Sequence, residues 1–223
     1  MLLTLRNTGY MMKIGFATLL TELAMSVMML TGNHMFLAML GESGVAAFAV
    51  VCYLFPVVFS IGNAVAQSAQ PIISYNYGFH QIDRVRQALK MSLQTALISG
   101  FFITFFLMFG ADKIAGLFLD SGDTAYTLAA NGLPYFAVCA AFFAVNIAFI
   151  GYYQSIEKAV ASTVYTLLRG VIFLVPCFLV LPRIIGVPGL WLAIPSAEML
   201  TCGVIIIAYL VNRHRNDRLR LTN

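Results

Sequence analysis

Apolar residues gather into six long runs, roughly 14–40, 45–70, 91–111, 128–153, 159–182 and 189–211, joined by short polar connections. Each run has the roughly 20 residues that carry an α-helix across a hydrocarbon core of about 30 Å. The pattern predicts an all-α polytopic membrane protein: a cytoplasmic N-terminal segment at 1–13, a six-helix transmembrane lobe at 14–211 and a basic cytoplasmic tail at 212–223. The connections are too short for a soluble domain. Gly41–Gly44 and Pro182–Pro188 read as turns, and the acidic loop near Asp112–Thr124 has room for a short helix at most. Between the second and third runs, Ile82, Val85 and Leu89 fall at helical spacing beside Arg84, Arg86 and Lys90. That stretch is either an amphipathic helix lying along the interface or the wet first turns of the third helix.

Composition agrees with the pattern: 61% of residues are hydrophobic, 10% are charged, and the mean hydropathy is +0.88. Soluble domains carry about 25% charged residues. Charge then orients the chain. Arg6, Lys13, Arg84, Arg86, Lys90, Lys158, Arg213, Arg215, Arg218 and Arg220 all lie on one set of connections and termini; the opposite set has only Lys113 and Arg183. The positive-inside rule places both termini in the cytoplasm. The net charge of +4 is therefore a topology signal, and nucleic acid is not an expected partner. Cys52, Cys139, Cys177 and Cys202 sit inside apolar runs without ligand spacing, so they read as small buried residues. No metal site is expected. Met1–Lys13 lacks the apolar stretch of a cleavable signal peptide.

Chemistry must come from polar groups at membrane depth. Glu22 is roughly 13 Å along its helix from Lys13, Arg169 roughly 16 Å from Lys158, and Glu198 about 15 Å beyond Pro188. All three fall near mid-bilayer, where a charged side chain costs at least about 2.5–3.5 kcal/mol. On the first helix, Thr18, Glu22, Ser26 and Asn33 share one face. On the second, Ser60, Asn63, Gln67, Gln70 and Ser74 share another, with Gln70 next to Pro71. Two such stripes around an acid would make a path for a cation or substrate. The serines and threonines alone would also serve as glue between helices. Arg169 stays protonated, which favours an internal ion pair with Glu198, or else with Glu22, over a proton cycle. His34, alone near the end of the first helix, reads as bonded to a neighbouring carbonyl or water. Pro56, Pro134, Pro176 and Pro195 lie inside runs and are kink candidates. The aromatic and Met-rich stretches Met25–Leu30, Phe101–Phe109 and Phe142–Phe149 suit lipid or helix contacts. An enzyme would need a nucleophile or metal motif at this depth, and the runs hold none of the HExxH or GxSxG type.

The chain resembles the C-terminal half of the multidrug and toxic compound extrusion family, from about Gly15 to Leu210. The residues that carry the likeness are Ile14-Gly-Phe-Ala-Thr-Leu-Leu-Thr-Glu22 leading to Asn33, then Gln67-Ser-Ala-Gln-Pro-Ile-Ile-Ser-Tyr-Asn-Tyr-Gly78. Tyr153-Gln-Ser-Ile-Glu-Lys158, Leu167-Leu-Arg169 and Gly189-Leu-Trp-Leu-Ala-Ile-Pro-Ser-Ala-Glu198 follow. The resemblance implies one six-helix lobe of a two-lobe secondary antiporter. Such a protein exchanges cationic or amphipathic small molecules for H⁺ or Na⁺ without a cofactor. It implies that Glu22 binds the coupling cation or the cationic substrate, with Ser26, Asn33, Asn63 and Gln67 around it. Gln70, Pro71, Asn76 and Gly78 would be a structural or gating motif. The family's first lobe has no counterpart before Glu22, so the chain is expected to be a fragment or truncated form, or else to pair with a second copy. A lipid-linked precursor flippase of related architecture and a structural membrane subunit are the rival readings.

Overall fold

The computed structural model describes residues 5–221, and its side chains from Glu22 to Asn212 together with Met12, Leu19 and Leu20. Thr18 and the basic residues before Glu22 and after Asn212, on which part of the charge argument rests, lie outside the described side chains. The protein is all α, as the hydrophobic pattern requires. In lipid a spanning segment has no water to bond, so its N–H and C=O groups must pair within the helix.

The first helix, α1 (Leu5–Gly78), is two arms, 5–40 and 42–78, broken at Gly41. Gly41 has φ 65° and ψ −155°, a region open in practice only to glycine. The arms fold back on each other: Phe36 and Phe48 stack with ring centroids 4.6 Å apart, whereas twelve residues of straight helix would separate them by about 18 Å. The predicted four-residue turn thus shrinks to one residue. Gly186 repeats the device with φ 67° and ψ −143°. It joins α7 (Leu174–Ile185) to α8 (Val187–Leu221) where a turn across Pro182–Pro188 was expected.

At the other end of the helices two connections share a different backbone pattern. His80 (φ 56°) and Glu157 (φ 61°) are left-handed. His80 N–H donates to the Tyr77 carbonyl and Gln81 N–H to that of Asn76; Glu157 and Lys158 donate to Gln154 and Tyr153 in the same offsets. Both are Schellman closures, which satisfy carbonyls that a helix end otherwise leaves unpaired. After the first of them, α2 (Ile82–Phe109) runs without a break, with Val85 and Leu89 buried on the same face as Ser92 and Ala96. The stretch 82–90 is therefore the opening of the third helix, and the separate interfacial helix is ruled out by that continuity.

The acidic loop holds the short α3 (Ala111–Phe118). Next, α4 (Thr124–Ala137) and α5 (Cys139–Ser155) meet at a 43° bend. There the Thr104 hydroxyl on α2 donates to the Ala137 carbonyl at 3.0 Å, supplying a partner at the break in the ladder. α6 (Ala159–Leu167) continues through a π turn at Leu168–Ile172 into α7. α8 is helical past residue 211, so the tail expected from 212 onward starts as an extension of that helix. Among the described residues four helices are long and apolar enough to span a bilayer, or five if the bent pair counts as one. The first of these, Glu22–Gly78, has 57 residues and contains the reversal at Gly41.

Aromatic rings fill the core near the Gly41 and Gly186 turns. Phe36 meets Trp191 edge-on at 5.0 Å, Phe48 meets Phe178, and Phe55 meets Phe143 at 5.5 Å. These contacts bring both arms of α1 against α5, α7 and α8. By contrast Ile98, Phe101, Phe102, Phe105, Phe106 and Phe109 on α2 are exposed, a surface suited to acyl chains. Of the aromatic stretches read from sequence, 101–109 is thus the outward one, while Phe143 and Phe149 are core.

Candidate transport site

The three mid-helix charges separate into two environments. Glu22 lies on the first arm of α1 among exposed residues: Leu19, Leu23, Ser26, Leu30 and Leu37 are uncovered with it. Among the described residues no ion pair or side-chain hydrogen bond reaches its carboxylate. Asn33 and Asn63 are half-buried, and Gln67 is exposed. Two serines of the stripes bond within their own helices, Ser26 Oγ to the Glu22 carbonyl at 3.3 Å and Ser60 Oγ to that of Pro56 at 2.8 Å, and Ser68 beside the second stripe does the same to Ala64 at 2.8 Å. A hydroxyl turned back onto the carbonyl four residues earlier does not tie the helices of this lobe together, so within it Ser26 and Ser60 do not act as glue.

Arg169 and Glu198 meet. Arg169 Nη2 donates to Glu198 Oε1 at 2.7 Å, and Nε donates to Oε1 at 3.1 Å and Oε2 at 3.3 Å. Arg169 is 6% exposed and Glu198 3%, so the pair is buried. The guanidinium carbon also lies 4.4 Å from the centre of the Phe143 ring, a cation–π contact. A third residue completes the group: Asn146 on α5, fully buried, donates from Nδ2 to Glu198 Oε2 at 2.7 Å and to the Glu198 carbonyl at 2.9 Å. The hydrogen bonds matter because two buried charges without them would lose more by desolvation than they gain by attraction. Sequence reading passed over Asn146, although a lone amide inside the apolar run Phe142–Phe149 is itself a signal.

The π turn sets Arg169's position. Leu168–Ile172 has the wider π hydrogen bonding, with Phe173 N–H reaching the Leu168 carbonyl at 2.9 Å. The next residue, Gly170, packs directly on Ala24 of α1: a Cβ there would overlap the Ala24 Cβ and stand 3.2 Å from its Cα. Beside this contact is a small cavity of about 20 Å³, bounded by Ala24, Met25 and Met28 on one side and by Arg169 and Glu198 on the other. It has room for about one water molecule. Glu22 is not among its walls. The structure therefore does not bring the two carboxylates together.

The motif from Gln67 to Gly78 divides similarly. Gln70 Nε2 donates to Gln154 Oε1 at 3.0 Å, tying the second arm of α1 to α5. Gln154 is a second partner that sequence reading did not assign. Asn76 is buried; its Nδ2 donates to the Ile72 carbonyl at 2.8 Å, and its own carbonyl closes the Schellman turn. Pro71 is exposed, and Gly78 is the last residue of α1 with open space around it. Among the described residues no group of three or more His, Cys, Asp or Glu side chains could hold a metal.

The MatE family model matches residues 17–179. A protein of Shewanella oneidensis described as an FAD transporter is 30% identical over 165 residues, which is 74% of this chain and 36% of that protein. A MOP superfamily transporter from Pyrococcus furiosus superposes with a TM-score of 0.87 at 19% identity, covering 98% of this chain and 49% of that one. The outward-facing conformation of a multidrug resistance MATE family transporter gives a TM-score of 0.82 at 20% identity, over 93% of this chain and 46% of that one. The chain thus spans about half the length of the solved transporters and about a third of the FAD transporter.

Proposed function

Because the chain belongs to the MatE family of membrane transporters, we propose that it is one six-helix lobe of a secondary antiporter, with Glu22 as the carboxylate that binds a coupling H⁺ or Na⁺ or a cationic substrate. The observation that carries this is the exposure of Glu22 on an uncovered helix face. A carboxylate kept within an apolar segment without an internal partner is available to a ligand. Its occupancy drives transport only if its affinity differs between the inward- and outward-facing states.

The six spans follow from counting the two arms of α1 separately and the bent α4–α5 pair as one. Arg84, Arg86, Lys90 and Lys158 lie at the end of the helices that holds the two Schellman turns, which supports a cytoplasmic position for that end and for both termini. The face around Glu22 would close against a second lobe, either an N-terminal one in the same polypeptide or a second copy of this chain. Sequencing about 700 bases upstream of the Met1 codon, enough for six more spans, tests the first alternative. An in-frame run of six apolar segments supports it, and a stop codon turns attention to the second copy.

The transport assay follows a fluorescent organic cation in vesicles that carry the chain with its partner lobe, driven by an H⁺ or Na⁺ gradient. Loss of gradient-driven efflux in Glu22→Gln supports the assignment; unchanged efflux removes it. A second reading, export of an anionic flavin dinucleotide, is favoured by the likeness to the Shewanella protein. FAD efflux in the same vesicles, with no effect on the cation, would select it.

A further inference from the structure

Asn146, Glu198 and Arg169 form a hydrogen-bonded chain that ends at the π turn, and the π turn touches the helix that carries Glu22. Each link is tight. Asn146 holds the Glu198 carboxylate at 2.7 Å, and Glu198 holds Arg169 at 2.7 Å. Gly170, bonded to Arg169, leaves no space between its backbone and Ala24. Ala24 is two residues from Glu22, so the same turn of α1 carries both the contact and the exposed carboxylate. The small cavity beside the contact, lined by Ala24, Met25 and Met28 together with Arg169 and Gly170, leaves the packing between that turn and the π turn incomplete, and incomplete packing yields more readily than a filled core.

We propose that Arg169, anchored by Glu198 and Asn146, is a positioning residue that sets the place of Glu22 through the Gly170–Ala24 contact. The inference rests on the reading of Glu22 as the ligand-binding carboxylate and explains what its partnerless helix face is held by. A buried ion pair adds little stability over an apolar replacement. It does fix one geometry, because the guanidinium fork donates well only to a carboxylate in its plane. A π turn supplies the rest: it puts Arg169 toward α8 while the adjacent glycine meets α1.

The test uses this chain in lipid nanodiscs and a hydrophobic carbodiimide, with modification at Glu22 followed by peptide mass spectrometry and Glu42, exposed beside Gly41, as the internal reference. In Gly170→Ala the new Cβ pushes on Ala24, and the Glu22 rate should change relative to Glu42 by about threefold or more, the size seen for residues in contact. Adding Ala24→Gly removes the obstructing methyl and should return the rate to within a factor of about 2 of the parent. Arg169→Lys keeps the charge and loses the fork, and should shift the Glu22 rate with Gly170 intact.

A folded Gly170→Ala protein with an unchanged Glu22 rate overturns the proposal. So does a double variant that stays shifted, or an Arg169→Lys protein indistinguishable from the parent. Where Gly170→Ala alone does not fold, Ala24→Gly alone decides: it opens the contact from the other side, and an unchanged rate there is equally fatal. The readout is chemical access and not transport, so it stands apart from the efflux result. If Glu22→Gln leaves efflux intact, the function assigned to Glu22 falls while the mechanical linkage is still measured.

Discussion

Glu22 and Glu198 start from the same description, a carboxylate near the middle of an apolar run, and end in opposite surroundings. Glu198 is 3% exposed, gripped by Arg169 and braced by Asn146. Glu22 faces outward on α1 with its carboxylate unpartnered among the described residues. Both carry the same intrinsic penalty for membrane depth, and the protein resolves it in two ways. At Glu198 an internal cation neutralises the charge and the geometry is locked. At Glu22 no described side chain does so, which leaves the group to whatever approaches the open face. A mid-membrane acid is thus a question about partners before it is a statement about function.

Four measurements sharpen or break that contrast. The largest effect is expected for Arg169→Ala, which strands a buried carboxylate; it should cost about 3–5 kcal/mol, read as a fall in the unfolding midpoint of the detergent-purified chain. Replacing both partners, Arg169→Met with Glu198→Leu, should recover that loss to within about 1 kcal/mol of the parent or better. If it does not, the pair contributes more than mutual neutralisation. Asn146→Ala removes one donor from Glu198 and should cost about 1–3 kcal/mol, with an intact fold by circular dichroism. Glu22→Gln should change stability by less than about 0.5 kcal/mol, as an exposed position does. A loss comparable to that of Asn146→Ala would mean that Glu22 has an internal partner and would erase the distinction.

Hydropathy makes the spans legible because it reports the solvent a segment prefers, and that is a property of the segment alone. It does not report neighbours. Arg169 was recognisable as a paired charge from its depth, yet the choice between Glu22 and Glu198 depended on which helices touch. The same limit hid Asn146 and Gln154, whose partners lie 52 and 84 residues away. The serine stripes misled for a local reason: a helical periodicity puts hydroxyls on one face but leaves each free to turn back onto its own carbonyl ladder. The turns erred in length. Glycine in a mirror-image conformation reverses the chain in one residue, where composition alone suggested four at Gly41–Gly44 and seven at Pro182–Pro188.

The π turn at Leu168–Ile172 also bears on descent. Wider i→i+5 bonding accommodates one residue more than regular α-helix over the same rise. The span Ala159–Ile185 can be regarded as an ordinary helix that gained a single residue by insertion. A relative with unbroken α-helix here should be one residue shorter between the Glu157 and Gly186 turns, and its alignment gap should fall inside 168–172. Such a relative would have no bulge to aim an arginine at α8, so the gap and the loss of the Arg169–Glu198 combination should be inherited together.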